Sequence, residues 1–433
     1  MPNRFGGGAR LRLDRLLVPI AVQPFVKRAL TIAMQYVPAE GVVARSPVSI
    51  DAVPSSLAIA GIYGHIGSLI YNAALQLGVP KIYGFDPGSK PLDFCYSDRL
   101  HIAAREEQFY EVDADLFHIA THPEVREGVY RLLERGRHIN IEKPMAHPAH
   151  PDECCRLRVA ARKSSGTVLF DFVEAFNPRT FQMCRILTRL RSYADFRINR
   201  IYCERGKDRE DGLNPRNRKV IVPIQYQETA HCLALLLIVI NRSSSFDEVF
   251  PNGITVAASS VSYNPPNPED YRFGLVDGKV SGEILVDGMT IGIHTDFKRQ
   301  GARPFKRFRV EGLANHREFV IEAIYDGTGE CIVFNGKAES PCVAASRHLD
   351  IVRQSWRWHC EPSTNLRPTA DFAWLVFGLS AALWMSCHEG REIKVTSEED
   401  LRRAMQSYPG SLARYARHPA LGRNVKVENR RIV

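Results

Sequence analysis

The sequence predicts an α/β protein in which a parallel sheet with helices packed on it precedes an α+β half with an open, mostly antiparallel sheet. Two observations support this prediction. Residues 56–172 alternate between short apolar runs, typical of buried parallel strands, and segments of helical periodicity. Beyond residue 178, seven segments with strand-like alternation follow, several of them separated by turns such as Asp287-Gly288.

A glycine-rich turn follows the first predicted strand. The apolar run Leu57–Ala60 leads into the turn Gly61–Gly67, a helical segment follows, and a second strand, Lys81–Phe85, ends at Asp86. Glycines let the backbone approach a pyrophosphate, and a carboxylate at the end of the second strand accepts hydrogen bonds from the ribose. The spacing is G-x-x-G-x-x-G, with Ile62 where the usual fingerprint has its first glycine. Glycines alone also fit an ordinary strand-to-helix turn, but this context favours a Rossmann dinucleotide-binding domain.

Two further predicted strands, Asp115–Thr121 and His138–Ile141, complete the expected crevice, and the second leads into Glu142-Lys143-Pro144. Ligands of open parallel sheets bind outside the carboxyl ends of the strands, so these ends should meet the glycine turn. The predicted cofactor contacts are Gly61, Tyr63, Gly64, His65, Ile66, Asp86, Ala120, Thr121, His122, Glu142 and Lys143.

The expected organisation has four parts: an extension (1–55), the Rossmann domain (56–175), a C-terminal α/β domain for substrate and oligomerisation (176–395) and a basic tail (396–433). Three interpretations of the extension stay open: a start codon placed too early, a flexible arm, or an amphipathic helix on the body.

Composition excludes several classes of protein. The net charge of +9 lies largely at the two ends, and no basic stripe interleaved with aromatics suggests a nucleic-acid partner. No segment reaches the length of apolar residues that a membrane helix requires, so no membrane partner is expected. The ten cysteines lack C-x-x-C spacing. This usage predicts reduced thiols in the cytoplasm and no metal site.

These motifs resemble the Gfo/Idh/MocA oxidoreductases, named for glucose–fructose oxidoreductase and inositol dehydrogenase. The most specific block is Leu132–Ala146, a helix end, glycine, strand and Glu-Lys-Pro, and Ser380–Ile393 is similar to the family's last helix. The resemblance covers roughly residues 56–395. It implies bound NAD(H) or NADP(H), a sugar, inositol or related polyol as substrate, and a homo-oligomer formed through the C-terminal sheet.

The resemblance also implies catalytic residues. Lys143 matches the family's lysine beside nicotinamide and substrate, and burial in a cleft would push such an ammonium toward neutrality. His231 matches the histidine of an Asp-x-x-x-His motif, whereas Gln227 stands at the position of the aspartate. Gln227 binds a hydroxyl but cannot take its proton. The i, i+4 spacing of Gln227 and His231 predicts that both lie on one face of a helix. Glu228 is expected on a different face.

Three functional hypotheses follow. The leading one is hydride transfer between nicotinamide and a hydroxyl-bearing carbon or ketone. A second keeps the cofactor but performs elimination, hydrolysis or imine reduction, and a third is a nucleotide-binding regulator or scaffold without catalysis. Asp86 would repel a 2′-phosphate, which favours NAD over NADP, although Lys90 lies near.

Overall fold

The computed structural model describes residues 53–214, 217, 222–240, 245–262, 264, 266, 276–301, 304–325, 329–339, 347–360 and 368–416. Most of the predicted extension and the part of the basic tail beyond residue 416 lie outside these residues, as does the pair Asp326-Gly327, which predicts a further turn between strands.

The first sheet has the architecture that the sequence predicts. Its six parallel strands lie in the order β3-β2-β1-β4-β5-β6, the order of a Rossmann domain. The core strand β1 is fully buried because helices cover both faces of such a sheet. The elements are β1 Ser56–Ala60, α1 His65–Gln76, β2 Lys81–Phe85, β3 Leu100–Ile102, α2 Glu106–Glu111, β4 Leu116–Ile119, α3 Gly128–Glu134, β5 Ile139–Ile141, α4 Asp152–Lys163 and β6 Val168–Phe170.

The second half carries a nine-stranded, mostly antiparallel sheet in the order β14-β13-β12-β11-β7-β10-β9-β8-β15. One face of the sheet is apolar and covered by helices. The elements are α5 Pro178–Leu190, β7 Arg197–Gly206, α6 Ala230–Ile240, α7 Phe246–Val249, β8 Ile254–Ser262, β9 Asp277–Val286, β10 Met289–Asp296, β11 Phe305–Ala314, β12 Arg317–Tyr325, β13 Glu330–Phe334, β14 Lys337–Ala338, α8 Arg347–Cys360, α9 Ala370–Glu389, β15 Ile393–Val395, α10 Glu398–Met405 and α11 Ser407–Ala416.

Strand β7 departs from the predicted meander. It lies between β10 and β11, antiparallel to β11 but parallel to β10, with Ile201 opposite Ile291. A parallel neighbour needs a long crossover connection, which the chain supplies through α6 and α7 before it returns in β8. The arrangement brings the carboxyl end of β7 beside the start of α6, where the candidate site lies.

Two apolar helices form the centre of the second half. Helix α6, which contains the apolar run 233–240, is buried along almost its whole length. Helix α9 is, contrary to the expectation from sequence, long and apolar enough to cross a membrane by length and composition, but 83% of that window is buried inside the fold. It ends at Gly390, which adopts a left-handed conformation with a φ of 63°.

Candidate active site

The glycine turn has the close packing that a dinucleotide requires. Gly61 has a φ of +75°, and a Cβ on Gly67 would lie 2.0 Å from the Gly61 carbonyl oxygen. Helix α1 begins directly after Gly64 and has no acidic residue in its first turn. The N-terminal amides of α1 are therefore available to an anion at close range, and these residues fit the pyrophosphate of a dinucleotide.

Asp86 lies at the end of β2, next to this turn. Its two carboxylate oxygens accept hydrogen bonds from the backbone N–H groups of Tyr63, at 2.9 Å, and Gly88, at 2.8 Å. Each oxygen retains a lone pair for a further donor. The fixed, half-buried carboxylate thus fits the two hydroxyl groups of an adenosine ribose.

Arg126 ties together the loops that follow β4 and β5. Its Nε and Nη2 donate to the Thr121 carbonyl at 3.1 and 2.7 Å, and its Nη1 donates to the Pro144 carbonyl at 2.9 Å. Thr121 also lies against Gly61. The predicted meeting of these loops with the glycine turn is therefore present, whereas His122 is 43% exposed and pairs with Glu124. Nothing in the sequence distinguishes Arg126 from a surface arginine, so sequence reasoning missed it.

Lys143 lies at the carboxyl end of β5 and reaches into the second half of the protein. Its Nζ donates to the main-chain oxygen of Gln227 at 3.2 Å. Burial lowers the pKa of Lys143, and the nearby Arg205 acts in the same direction, while the carboxylate of Glu228 opposes the shift. Lys143 therefore lies at the expected end of the crevice with a lowered pKa, and its catalytic role stays a prediction.

The segment that holds Gln227 is a π-helical turn, Gln225–Thr229, that runs into α6. A π-helical turn is wider than an α-helical one, so the shared helix face of Gln227 and His231 stays a prediction. The amide of Gln227 donates to the Val222 carbonyl at 2.9 Å. The carboxylate of Glu228, expected on another face, is instead the neighbour whose charge interacts with Lys143 and His231.

His231 is buried and pairs with Glu174, a residue that the sequence analysis did not single out. Its Nδ1 lies 2.8 Å from Glu174 Oε2. Burial and the charge of Arg205 lower the pKa of His231 to about 3, so the ring is neutral. Burial alone would raise the pKa of Glu174, but His231, Lys306 and Arg205 hold it well below its usual range. The ionised carboxylate therefore fixes Nδ1 as the protonated nitrogen and leaves Nε2 for a substrate.

Basic residues surround both glutamates. Lys306 and Arg205 contact Glu174, and Arg205 and Lys207 contact the two oxygens of Glu228. These cations hold the pKa of Glu228 well below its usual range, although burial would raise it. No local signal in the sequence points to these cations, because they come from the end of β7, from the residue after it and from β11, and only the sheet brings these next to α6.

A second cluster of ionisable side chains includes Glu142, the residue that precedes Lys143. His118 Nε2 is 3.1 Å from Asp171 Oδ2, and both side chains are essentially buried. Burial and Glu142 raise the pKa of Asp171 well above its usual range, and burial lowers the pKa of His118 to about 3. Although the sequence predicts no metal site, His118, Glu142 and Asp171, and separately Glu124, His147 and His150, hold potential ligand atoms within 4.8 Å of one another.

Comparison with known proteins identifies the fold. No protein-family model matches the sequence, and no curated protein matches it significantly. Among solved structures, a myo-inositol dehydrogenase from Corynebacterium glutamicum is 13% identical with a TM-score of 0.55, covering 78% of this chain and 98% of that one. The aldose-aldose oxidoreductase from Caulobacter crescentus, complexed with glycerol, is 14% identical with a TM-score of 0.55, covering 78% and 99%.

A third similar structure is a levoglucosan dehydrogenase in complex with NADH and L-sorbose. It is 14% identical with a TM-score of 0.56, covering 79% of this chain and 99% of that one. The chain therefore has the two-domain fold of Gfo/Idh/MocA-type oxidoreductases, which confirms the fold predicted from the sequence.

Proposed function

We propose that this protein is an NAD(H)-dependent oxidoreductase that moves a hydride between nicotinamide and a hydroxyl-bearing carbon or ketone of a sugar, inositol or related polyol. The observation that carries the proposal is the buried His231–Glu174 pair, which lies near enough to Lys143, at the carboxyl end of β5, for the lysine's charge to help lower the pKa of His231. Structurally similar proteins bound to NADH and to sugars or glycerol support the same conclusion.

The cofactor assignment depends on the glycine turn and Asp86. The N-terminus of α1 would hold the pyrophosphate, and Asp86 would hold the adenosine ribose and repel a 2′-phosphate. A bound nicotinamide supplies the carbon that accepts or releases the hydride. The chain's own residues then bind and orient the substrate and move its proton.

The proton is handled by His231. In the oxidative direction, Nε2 of the neutral ring takes the proton from the substrate hydroxyl. The carbon that bears this hydroxyl gives up its hydride at the same time, and a ketone forms. Glu174 stabilises the resulting imidazolium because its carboxylate faces Nδ1. The ammonium of Lys143 binds the substrate oxygen, and the main-chain oxygen of Gln227 orients that ammonium. A glutamine in place of the aspartate is compatible with this chemistry because it is not the base.

Turnover of NAD⁺ with a panel of polyols and sugars tests the proposal. Lys143→Met should lower kcat by about 10²- to 10⁴-fold, the scale of a lost proton-transfer or oxyanion-binding group, while NADH still binds. A tightly held cofactor that never exchanges would favour elimination, hydrolysis or imine reduction. Nucleotide binding without turnover of any compound would favour a regulator.

The setting of the protein is also part of the proposal. All nine cysteines in the described residues are free thiols, which supports the cytoplasm as its compartment.

The outer face of the second sheet exposes Val261 and Leu285, by 55% and 47%, and supports homo-oligomerisation through that face. Sedimentation of a Leu285→Glu variant, which should dissociate such an oligomer, tests this point. The four-part organisation given above remains our expectation for the domain boundaries.

A further inference from the structure

Two short turns beyond the carboxyl ends of β4 and β5 begin with the same His-Pro pair. In the turn His122–Val125 the last residue donates its N–H to the first carbonyl at 3.1 Å, and in the turn His147–His150 the equivalent bond is 2.8 Å long. Proline is favoured at the second position of such turns because its φ is already set. A turn of this kind brings its first and fourth residues together, so His147 and His150 lie close to each other.

Arg126 holds the two turns in a fixed relation. Its guanidinium donates to the carbonyl of Thr121, just before the first turn, and to the carbonyl of Pro144, shortly before the second. The arginine is 6% exposed. The side chains of the two turns are therefore brought together by the fold itself.

Three of these side chains converge. Glu124, His147 and His150 each offer a potential ligand atom, and the three atoms lie within 4.8 Å of one another. Glu124 Oε1 is 3.7 Å from His150 Nε2, and Glu124 Oε2 is 3.5 Å from His122 Nδ1. Ligand atoms around a tetrahedral Zn²⁺ lie about 3.3 Å apart. Small rotations of exposed side chains therefore suffice to reach this spacing.

His147 is oriented by its own turn. Its Nδ1 accepts a hydrogen bond from the N–H of Ala149 at 3.1 Å. A neutral imidazole has one unprotonated nitrogen, so a metal ion bound to His147 would replace this hydrogen bond. Ala149 is half-buried, and its N–H can then bind water. Ligation thus exchanges one neutral hydrogen bond for a metal–nitrogen bond.

The other group of potential ligands, His118, Glu142 and Asp171, is less suited to a cation. The positive charge of Arg126 already acts on Glu142 and Asp171. A metal ion among these side chains would be repelled by that guanidinium.

We propose that Glu124, His147 and His150 bind one divalent transition-metal ion of the Zn²⁺ class, with water in the fourth position. Two imidazoles and a carboxylate are donors that suit this class of ion. His122 orients the carboxylate oxygen that it faces, as groups beside metal ligands commonly do. The ion links the loop after β4 to the loop after β5. This inference does not rest on the proposed function.

Metal titration of the full-length protein, first freed of metal with a chelator, tests the inference. Calorimetry with Zn²⁺ should show one ion bound per chain with a micromolar or lower dissociation constant. Saturating Zn²⁺ should also raise Tm, because the ion binds the folded state. The visible spectrum of bound Co²⁺ should be that of a four-coordinate ion. The absence of saturable binding at one ion per chain would overturn the inference.

Three variants locate the ion. Glu124→Gln and His150→Gln each remove a ligand from an exposed position and should weaken Zn²⁺ binding about tenfold or more. His316→Gln is the control, because His316 is 89% exposed and forms a comparable pair with Asp195 at 3.5 Å. It should bind Zn²⁺ as the unmodified protein does. Unchanged binding in both ligand variants, or an equal loss in the control, contradicts the proposed site. Tm without metal, which should stay the same in all three variants, confirms that they are folded.

Discussion

The Nδ1 atom of His231 lies 2.8 Å from the Oε2 atom of Glu174, although the two residues come from different elements. Glu174 follows the last strand of the parallel sheet, whereas His231 lies near the start of α6. The pair therefore couples the two halves of the protein at the candidate site. It also fixes the tautomer of a buried, neutral histidine, which a proton-transfer role requires.

Replacing Glu174 tests this pairing. Glu174→Gln should lower kcat about 10- to 100-fold, because the imidazolium that forms on His231 loses its counter-charge. The acidic limb of the kcat/KM profile should also change, since a carboxylate no longer supports the protonated ring. Glu330→Gln is the matched control: Glu330 is a buried carboxylate bonded to Asn177 and Arg347, and its loss should cost stability with kcat little changed. Equal loss of kcat in both variants would show Glu174 to be structural.

A carboxylate at position 227 should shift the pH dependence. Burial lowers the pKa of Lys143, and the isosteric change Gln227→Glu would put a negative charge on the residue whose main-chain oxygen accepts a hydrogen bond from the Lys143 ammonium. Opposite charge favours the protonated form, so the pKa of Lys143 rises by up to about one unit. The fall of kcat/KM on the alkaline side should move to higher pH by the same amount. Gln182→Glu, on α5, should not move it, and a shift of the Gln227→Glu profile to lower pH would contradict the role of Lys143.

Cofactor preference should depend on Asp86. Asp86→Ala removes the proposed acceptor for the ribose hydroxyls and the proposed repulsion of a 2′-phosphate, so the preference for NADH over NADPH should narrow about tenfold or more. Fluorescence titration with both nucleotides measures the change. Asp93→Ala, an exposed aspartate of the same connection, serves as the control and should keep the original preference. Tighter binding of NADPH by the unmodified protein would contradict the assignment of Asp86.

Asp350 should make stability depend on pH. Burial raises the pKa of this carboxyl group to about 6, so the folded state keeps its proton after the unfolded chain has lost it. The contribution of Asp350 to the free energy of unfolding is therefore most favourable below about pH 4 and decreases as the pH rises toward 6. Asp350→Asn should raise the free energy of unfolding by about 1 kcal/mol at pH 7.5 and leave it unchanged near pH 4. The gain at pH 7.5 is small because the group is partly exposed and screened by water.

Urea unfolding at the two pH values measures the effect. Asp113→Asn, at a position whose side chain is 89% exposed and pairs with Arg137, should show no such difference. A gain for Asp350→Asn that is equal at both pH values would exclude titration of Asp350 as its source.

Local sequence patterns are sufficient to predict the parallel half of the fold. Apolar strands buried on both faces, glycine in the turn Gly61–Gly67 and a carboxylate at Asp86 are local patterns, and each has one structural consequence. The position of Lys143 is predicted in the same way, because this residue follows shortly after an apolar strand. The strands of the second sheet were also located, since alternation with period two is visible within each segment.

The strand order of the second sheet and the identity of the residues that face the site depend on long-range contacts. The insertion of β7 between β10 and β11 is a long-range pairing, and no local pattern records which strand becomes a neighbour. Arg205, Lys207 and Lys306 reach the site through this pairing, and Glu174 reaches His231 through the packing of the two halves. The π-helical turn at Gln225–Thr229 is likewise not visible in the sequence, whose pattern predicts a regular helix there.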